Sequence, residues 1–201
     1  MNSKRLFDII FSIIGIILLL PVLSLIALSI KVSSPGPIFF RQNRVGLRGK
    51  KFQIYKFRTM YIDSEKFGKI TIGQDKRITN FGKWLRKYKI DELPQLIDVV
   101  KGDMSIVGPR PEVKEYVDTY PIHIKKKILS IKPGITDLAS IEMIDESSII
   151  QKYKDPHQGY IKEILPKKLK LCIKYIDSRS LYLDIKIILL TFKKIISNKR
   201  M

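Results

Sequence analysis

The chain has 201 residues, enough to bury one core of ordinary size and too few for two comfortable domains. Its 38 basic and 19 acidic side chains give a net charge of +19, yet 45% of the residues are hydrophobic, which excludes a disordered chain. The single cysteine, Cys172, excludes a disulfide scaffold, and the charge balance points to an anionic partner: nucleic acid, phosphorylated small molecules or an acidic membrane surface.

Residues 1–34 read as a membrane segment with basic flanks. No charged side chain occurs from Ile9 to Ile30, a run that matches the ~20 apolar residues a ~30 Å hydrocarbon core requires. The run is too long for a cleaved signal peptide, and Ser29-Ile30-Lys31 offers no small-x-small cleavage site. Lys4 and Arg5 precede it, and Lys31, Arg41, Arg44, Arg48, Lys50 and Lys51 follow it, so the positive-inside rule pulls both ends to the cytoplasm. Pro21 removes a backbone donor near the middle and predicts a break there, with Ser24 able to satisfy a freed carbonyl. A re-entrant helix–break–helix that enters and leaves by the cytoplasmic leaflet satisfies all of this. A plain bitopic anchor with a proline kink is the alternative.

Residues 35–201 read as one domain with no internal repeat or long linker. Ser33-Ser34-Pro35-Gly36-Pro37 is a rigid exit from the membrane segment. Ile38–Gln42 and Lys51–Arg58 read as strands of a hairpin around the turn Arg44–Gly49. Asn80–Tyr88 is a short helix carrying Trp84 and Leu85. Asp91 to Gly102 has helix signals throughout: Asp91 as N-cap, Pro94 in the first turn, Leu93, Leu96, Ile97 and Val100 on one face, and Gly102 as the stop. Pro166–Ile176 sets Leu169, Cys172 or Ile173, and Ile176 on one side, and Leu181–Ile196 sets Leu181, Ile185, Ile188, Phe192 and Ile195 on a stripe. These two are either core helices with solvated lysines or interfacial helices lying on anionic lipid. The fold class expected is α+β: a mainly helical cytoplasmic catalytic domain with a small β-hairpin, an N-terminal re-entrant membrane helix and interfacial amphipathic helices.

Asp91-Glu92 is the candidate catalytic pair. Adjacent helical side chains diverge by ~100°, so one carboxylate can attack while the other holds a divalent cation. A helix start behind them attracts a substrate phosphate. Gly102 to Pro111 follows directly, and a proline on each side of Arg110 fixes its backbone before any ligand arrives, which suits bidentate phosphate binding. Lys56, Arg58 and Arg86 add phosphate-seeking charge upstream. Cations around a carboxylate pair, with Mg²⁺, make a phosphoryl-transfer site. His123 and His157 sit in no Ser–His or zinc pattern, and neither a P-loop nor a dinucleotide glycine fingerprint occurs.

Several motifs together resemble the bacterial sugar transferases that initiate capsule, O-antigen or glycoprotein glycan assembly, the monotopic phosphoglycosyl transferases. They are Lys4–Asp8, Pro37–Gln42, Tyr55–Met60, Lys89–Gln95, Gly102–Ser105, Val107–Pro111 and Lys132–Thr136. The resemblance implies a re-entrant helix on a cytoplasmic domain at the inner membrane. It also implies a reaction in which the aspartate of the dyad, Asp91, attacks the β-phosphate of a UDP-sugar and expels UMP. The covalent phosphosugar then passes to polyprenyl (undecaprenyl) phosphate. Glu92 is implied as a Mg²⁺ ligand, and Arg86 and Arg110 as phosphate-binding. Expected partners are therefore a UDP-sugar, polyprenyl phosphate and anionic membrane lipids, with no nucleic acid.

In one place the pattern departs from the family. Many relatives continue Pro-Gly-Ile-Thr with Gly-Trp-Ala-Gln-Val-Asn-Gly-Arg, whereas Asp137-Leu138-Ala139-Ser140 follows here and that arginine has no counterpart. Larger relatives carry extra N-terminal membrane helices, and this chain reads as the minimal catalytic form. Two rivals remain: a transferase that joins both substrates in one ternary step, and a basic membrane-tethered binding module without catalysis.

Overall fold

The computed structural model describes residues 3–62, 64, 75–143, 150 and 152–197. Helix α1 is Ser3–Ser33, followed by an antiparallel hairpin of β1, Phe39–Val45, and β2, Lys51–Phe57. Helix α2, Asn80–Lys87, leads through a 3₁₀ turn at Ile90–Glu92 into α3, Gln95–Lys101, and then β3, Ser105–Val107. The second half holds α4, Lys114–Val117, α5, Ile122–Ile128, β4, Gly134–Thr136, and α6, Leu138–Glu142. Helix α7, Pro156–Gly159, runs through a π turn into α8, Leu165–Ser178, and α9 is Leu181–Ser197. The mainly helical α+β class with a small hairpin is as the sequence indicated. A second two-stranded sheet, in which β3 and β4 run parallel with Ser105 opposite Gly134 and Val107 opposite Thr136, was not expected.

Pro21 lies inside one continuous α1, not at a break between two helices. A proline deletes a single N–H bond, and the Ile- and Leu-rich turns on either side keep the helix going across that gap. Both ends of α1 dock on the same domain. Near its start, Asp8 and Ser12 are buried; Asp8 Oδ2 accepts the Ser105 hydroxyl at 2.8 Å, and Lys4 bridges Asp8 at 3.1 Å and Asp184 of α9 at 2.8 Å. Arg5 donates to the Val99 and Val100 carbonyls at the end of α3, at 2.6 and 3.0 Å. Near the far end, Ile26 and Ile30 pack with Phe57 and Leu85. Between these anchors Ile14, Ile17, Leu18, Leu20, Val22 and Leu25 are exposed.

The hairpin follows the period-2 rule: Phe52 and Ile54 point inward onto Val99 and Met104 while Lys51 and Gln53 face out. Helix α2 is capped by Thr79, whose hydroxyl accepts the Gly82 N–H at 2.9 Å. Helix α3 ends where Gly102 takes a left-handed φ of 96° and its N–H reaches the Asp98 and Val99 carbonyls, as a glycine stop should. Helix α8 is a core helix: Leu165, Leu169, Cys172 and Tyr175 are buried while Lys167, Lys170 and Lys174 are exposed.

Helix α9 behaves differently, and the stripe read from its sequence divides: Ile188 packs on the core, whereas Ile185 and Phe192 face out. Ile187 and Asp184 point inward, Asp184 accepts the Tyr175 hydroxyl at 2.7 Å, and Thr191 pairs with Thr136 at 2.8 Å. Ile187 is buried with Val107 and Tyr175, and Leu183 and Ile188 pack beside it, so polar and apolar groups share the core side. Tyr182, Ile185, Leu189, Phe192 and Ile196 consequently line an exposed face, with Tyr182 78% exposed.

Strands β3 and β4 touch through two glycines. A Cβ on Gly134 would lie 2.1 Å from the Gly108 nitrogen and 2.5 Å from its carbonyl oxygen. Gly134→Ala is expected to destabilise the fold by ~1–3 kcal/mol through overpacking, read as a lower melting temperature in detergent. An unchanged melting curve would mean that the two backbones are not in contact.

Candidate active site

The Asp91-Glu92 pair is positioned by a reversal of the chain. Helix α2 ends at Lys87, and Lys89 adopts a left-handed φ of 57°, which turns the backbone into the Ile90–Glu92 turn. Such a conformation costs a non-glycine residue ~1 kcal/mol or more. It is held here by the bonds from the Lys89 N–H to the Arg86 carbonyl and from the Glu92 N–H to the Lys89 carbonyl. Asp91 is not the N-cap of α3: its side chain makes no cap bond, and Pro94 occupies that position. The reason is local, since a cap at Asp91 would seek the N–H two or three residues on, and Leu93 donates to the Ile90 carbonyl at 3.1 Å while Pro94 has no N–H.

Both carboxylates are buried, and their surroundings are unequal. Glu92 Oε1 accepts Lys56 Nζ at 2.9 Å, and its two oxygens take both Nη groups of Arg110. Burial alone would push the Glu92 carboxyl up, but Arg110 and Lys56 outweigh it and hold it well below the usual carboxylate range. Asp91 is the reverse case. Its Oδ1 is buried and no protein group donates to it. Burial and the charge of Glu92 raise its carboxyl above the ordinary aspartate value, against the pull of Lys56, Lys89 and Arg86. Burial likewise lowers the Lys56 ammonium, although Glu92 opposes the shift.

Arg110 reaches Glu92 because the parallel pair sets its backbone. The Gly108 N–H bonds the Thr136 carbonyl at 3.1 Å, the Gly134 N–H bonds the Pro109 carbonyl at 3.0 Å, and the Arg110 N–H meets Asp137 Oδ2 at 3.3 Å. Arg86 holds the Thr59 hydroxyl through Nε at 2.8 Å and lies within electrostatic reach of Asp91. The structure thus brings Lys56, Arg86, Asp91, Glu92 and Arg110 together. It does not bring Arg58, whose guanidinium donates to the Pro35 and Ser34 carbonyls at 2.6 and 2.8 Å and fastens the exit of α1. Asp137 is the participant that sequence reasoning missed. It carried a signal only as the N-cap of α6, through the Ser140 N–H, and nothing in the sequence connected it to Arg110.

The pairing has a defined pH behaviour. Glu92 contributes stability that is complete above its unfolded value of ~4.3 and is lost as pH falls through the lower folded value. Asp91 has the opposite sign: from its unfolded value of ~3.9, stability decreases as pH rises through its raised folded value. In a carboxylate-resolved carbon-13 NMR titration, Asp91 should take up its proton at higher pH than Glu92. Arg110→Gln should move Glu92 upward. Glu92 protonating first in the unaltered protein would contradict the assigned asymmetry.

Comparison with known proteins identifies the family of the chain. Residues 1–198 match the family model described as bacterial sugar transferase. The chain is 38% identical over 200 residues to a UDP-glucose:undecaprenyl-phosphate glucose-1-phosphate transferase of Escherichia coli (strain K12), covering 98% of this chain and 40% of that protein. It is 37% identical over 201 residues to a UDP-N-acetylgalactosamine-undecaprenyl-phosphate N-acetylgalactosaminephosphotransferase of Aeromonas hydrophila, covering 96% and 44%. The chain therefore spans about two fifths of the length of these relatives. An uncharacterized sugar transferase of Bacillus subtilis (strain 168), EpsL, is 35% identical over 198 residues, with 98% of this chain and 88% of that one covered. Matched over nearly its whole length, the chain belongs to the bacterial sugar transferase family.

Proposed function

We propose that this protein transfers a sugar-1-phosphate from a UDP-sugar to undecaprenyl phosphate at a membrane, by way of a covalent phosphosugar on Asp91. The observation that carries the proposal is the unequal pair: Asp91 keeps an unbonded carboxylate oxygen beside a Glu92 that two cations hold ionised. In the reaction, an Asp91 oxygen attacks the β-phosphorus and the bond to the bridging oxygen breaks, releasing UMP. An oxygen of the polyprenyl phosphate then attacks the same phosphorus, and Asp91 leaves as carboxylate. Lys56, Arg86 and Arg110 neutralise and orient the phosphates. The relatives' names, which pair UDP-sugars with undecaprenyl phosphate, support the substrate classes.

Mg²⁺ belongs to the proposal. Among the described residues no cluster of three or more His, Cys, Asp or Glu groups forms a complete metal site. The donors nevertheless suit a cation that takes one or two carboxylates and completes its shell with water and substrate phosphate: Asp91 Oδ1 has no protein donor, and Glu92 Oε2 accepts only Arg110 Nη1, which leaves it one lone pair. When bound, Mg²⁺ would supply charge neutralisation to the diphosphate.

The proposed location is the cytoplasmic face of the inner membrane, with α1 re-entrant. Three features support it. Both ends of α1 are held by one domain, Lys4, Arg5 and Asp8 by hydrogen bonds and ion pairs and Ile26 and Ile30 by packing, so the exposed apolar middle can enter the bilayer while neither end leaves the side on which that domain lies. The outward apolar face of α9 begins beside the start of α1, joined to it by Lys4 and Asp184, and suits an interfacial helix on anionic lipid. Trp84 of α2, 46% exposed, stacked with Phe81 and edge-on to Tyr88, suits the same interface.

Incubated with the correct UDP-sugar alone, the protein should gain the mass of a phosphosugar under acid trapping and release UMP. Asp91→Asn should lose both, with turnover down at least ~10³-fold. Full turnover without any trapped adduct or UMP-forming half reaction would instead indicate a single ternary step. For the topology, a cysteine at Asn2 in a Cys172→Ser background should resist membrane-impermeant thiol reagents in intact cells. Labelling there would place the N-terminus outside and overturn the re-entrant reading.

A further inference from the structure

Asp137, at the end of β4, has a buried carboxylate that faces two ways. Oδ1 accepts the Ser140 N–H at 2.7 Å and the Ser140 hydroxyl at 2.6 Å, which caps α6. Oδ2 accepts the Arg110 N–H at 3.3 Å. That second bond has unusual weight, because Pro109 and Pro111 have no N–H and Arg110 supplies the only backbone donor of the turn. The two flanking carbonyls are held as well: Pro109 accepts the Gly134 N–H at 3.0 Å, and Pro111 accepts Arg44 Nη1 at 3.2 Å. Asp137 also adds to the negative field, led by Glu92, that favours the charged Arg110 guanidinium.

We propose that Asp137 is a positioning residue for Arg110. It fixes the main chain of the Pro109-Arg110-Pro111 turn, so that the guanidinium can exchange between Glu92 and a substrate phosphate while the turn stays in place. The phosphate half of this statement rests on the proposed function. The backbone half rests on the hydrogen bonds alone. A contact of this kind matters to the reaction, because a ~1 Å misplacement of a substrate-binding group can lower the rate by ~10²-fold.

Asp137→Asn and Asp137→Ser separate the two duties of the carboxylate, since both side chains remain good helix caps with a single acceptor oxygen. Each should leave the melting temperature near that of the unaltered protein. Each should speed amide hydrogen exchange at Arg110, read by NMR or in the peptide spanning residues 106–113. UMP release should fall about tenfold in kcat/KM in these variants, and by less than about twofold when Asp137→Asn is made in an Arg110→Ala background. Equal losses in the two backgrounds, or an Arg110 amide that stays protected, would overturn the proposal. If the unaltered protein releases no UMP from any UDP-sugar, the reaction assignment fails, and the exchange measurement still decides whether Asp137 holds the turn.

Discussion

A buried carboxylate needs a cation, and the fold is arranged around meeting that need at Glu92. Two adjacent acidic side chains are both withdrawn from water, and only one is supplied with partners. Removing one member of a buried ion pair commonly costs ~3–5 kcal/mol, because the other is left uncompensated. Lys56 comes from β2, Arg110 from the turn after β3, and Glu92 from the turn before α3. Hairpin, parallel pair and helix must therefore assemble in one register. A one-residue slip of β2 would carry Lys56 to the opposite face of the hairpin and leave Glu92 with Arg110 alone.

The same logic of satisfied buried charge ties the apolar helix to the domain. Asp8 and Asp184 are both buried, and Lys4 lies between them. Ser105 and Tyr175 donate to the remaining oxygens, so β3 and α8 join the same cluster. Strand β3 runs directly into the turn that carries Arg110, so the start of α1 and the candidate active site lean on one three-residue strand. At the other end, Arg58 binds the carbonyls where α1 exits, and the residue after it, Thr59, accepts a bond from Arg86. Each end of α1 is thus about one residue's reach from an element that positions a site cation.

Local patterns were legible in the sequence, and long-range ones were not. The hairpin, α2 and α8 could be read from alternation, capping and apolar spacing, because those signals lie within the segment that folds. Asp91, Glu92 and Arg110 could be singled out by residue type and neighbouring prolines. The β3–β4 pair escaped because three-residue strands have no period to detect, and because their pairing depends on Gly108 meeting Gly134 across a gap that only the fold closes. Helix α9 was legible only in part: its inner face mixes Ile187 and Ile188 with Asp184 and Thr191, whose polar partners lie on other elements, so the apolar stripe included both inward Ile188 and outward Ile185 and Phe192. Arg58 looked like a phosphate ligand by charge alone. Its role at the exit of α1 depended on carbonyls that no composition reveals.

The net charge of +19 is a poor guide to the chemistry, and the local balance is a better one. Lys56, Arg86, Lys89 and Arg110 act on two carboxylates, a surplus of two positive charges when both are ionised. In the proposed reaction a diphosphate brings negative charge close to Asp91, which by itself would drive that carboxyl to take up a proton and stop it attacking. Lys56 and Arg110 can serve the incoming phosphates only by loosening their hold on Glu92, which would then press harder on its neighbour. The arrangement eases this conflict if Arg86 and Lys89, which also pull on Asp91, keep acting on it while Arg110 turns toward phosphate. On this reasoning the cations overlap in their duties: Arg110 acts foremost on Glu92, while Lys56 and Lys89 act on both carboxylates, so turning Arg110 toward phosphate leaves cations beside Asp91.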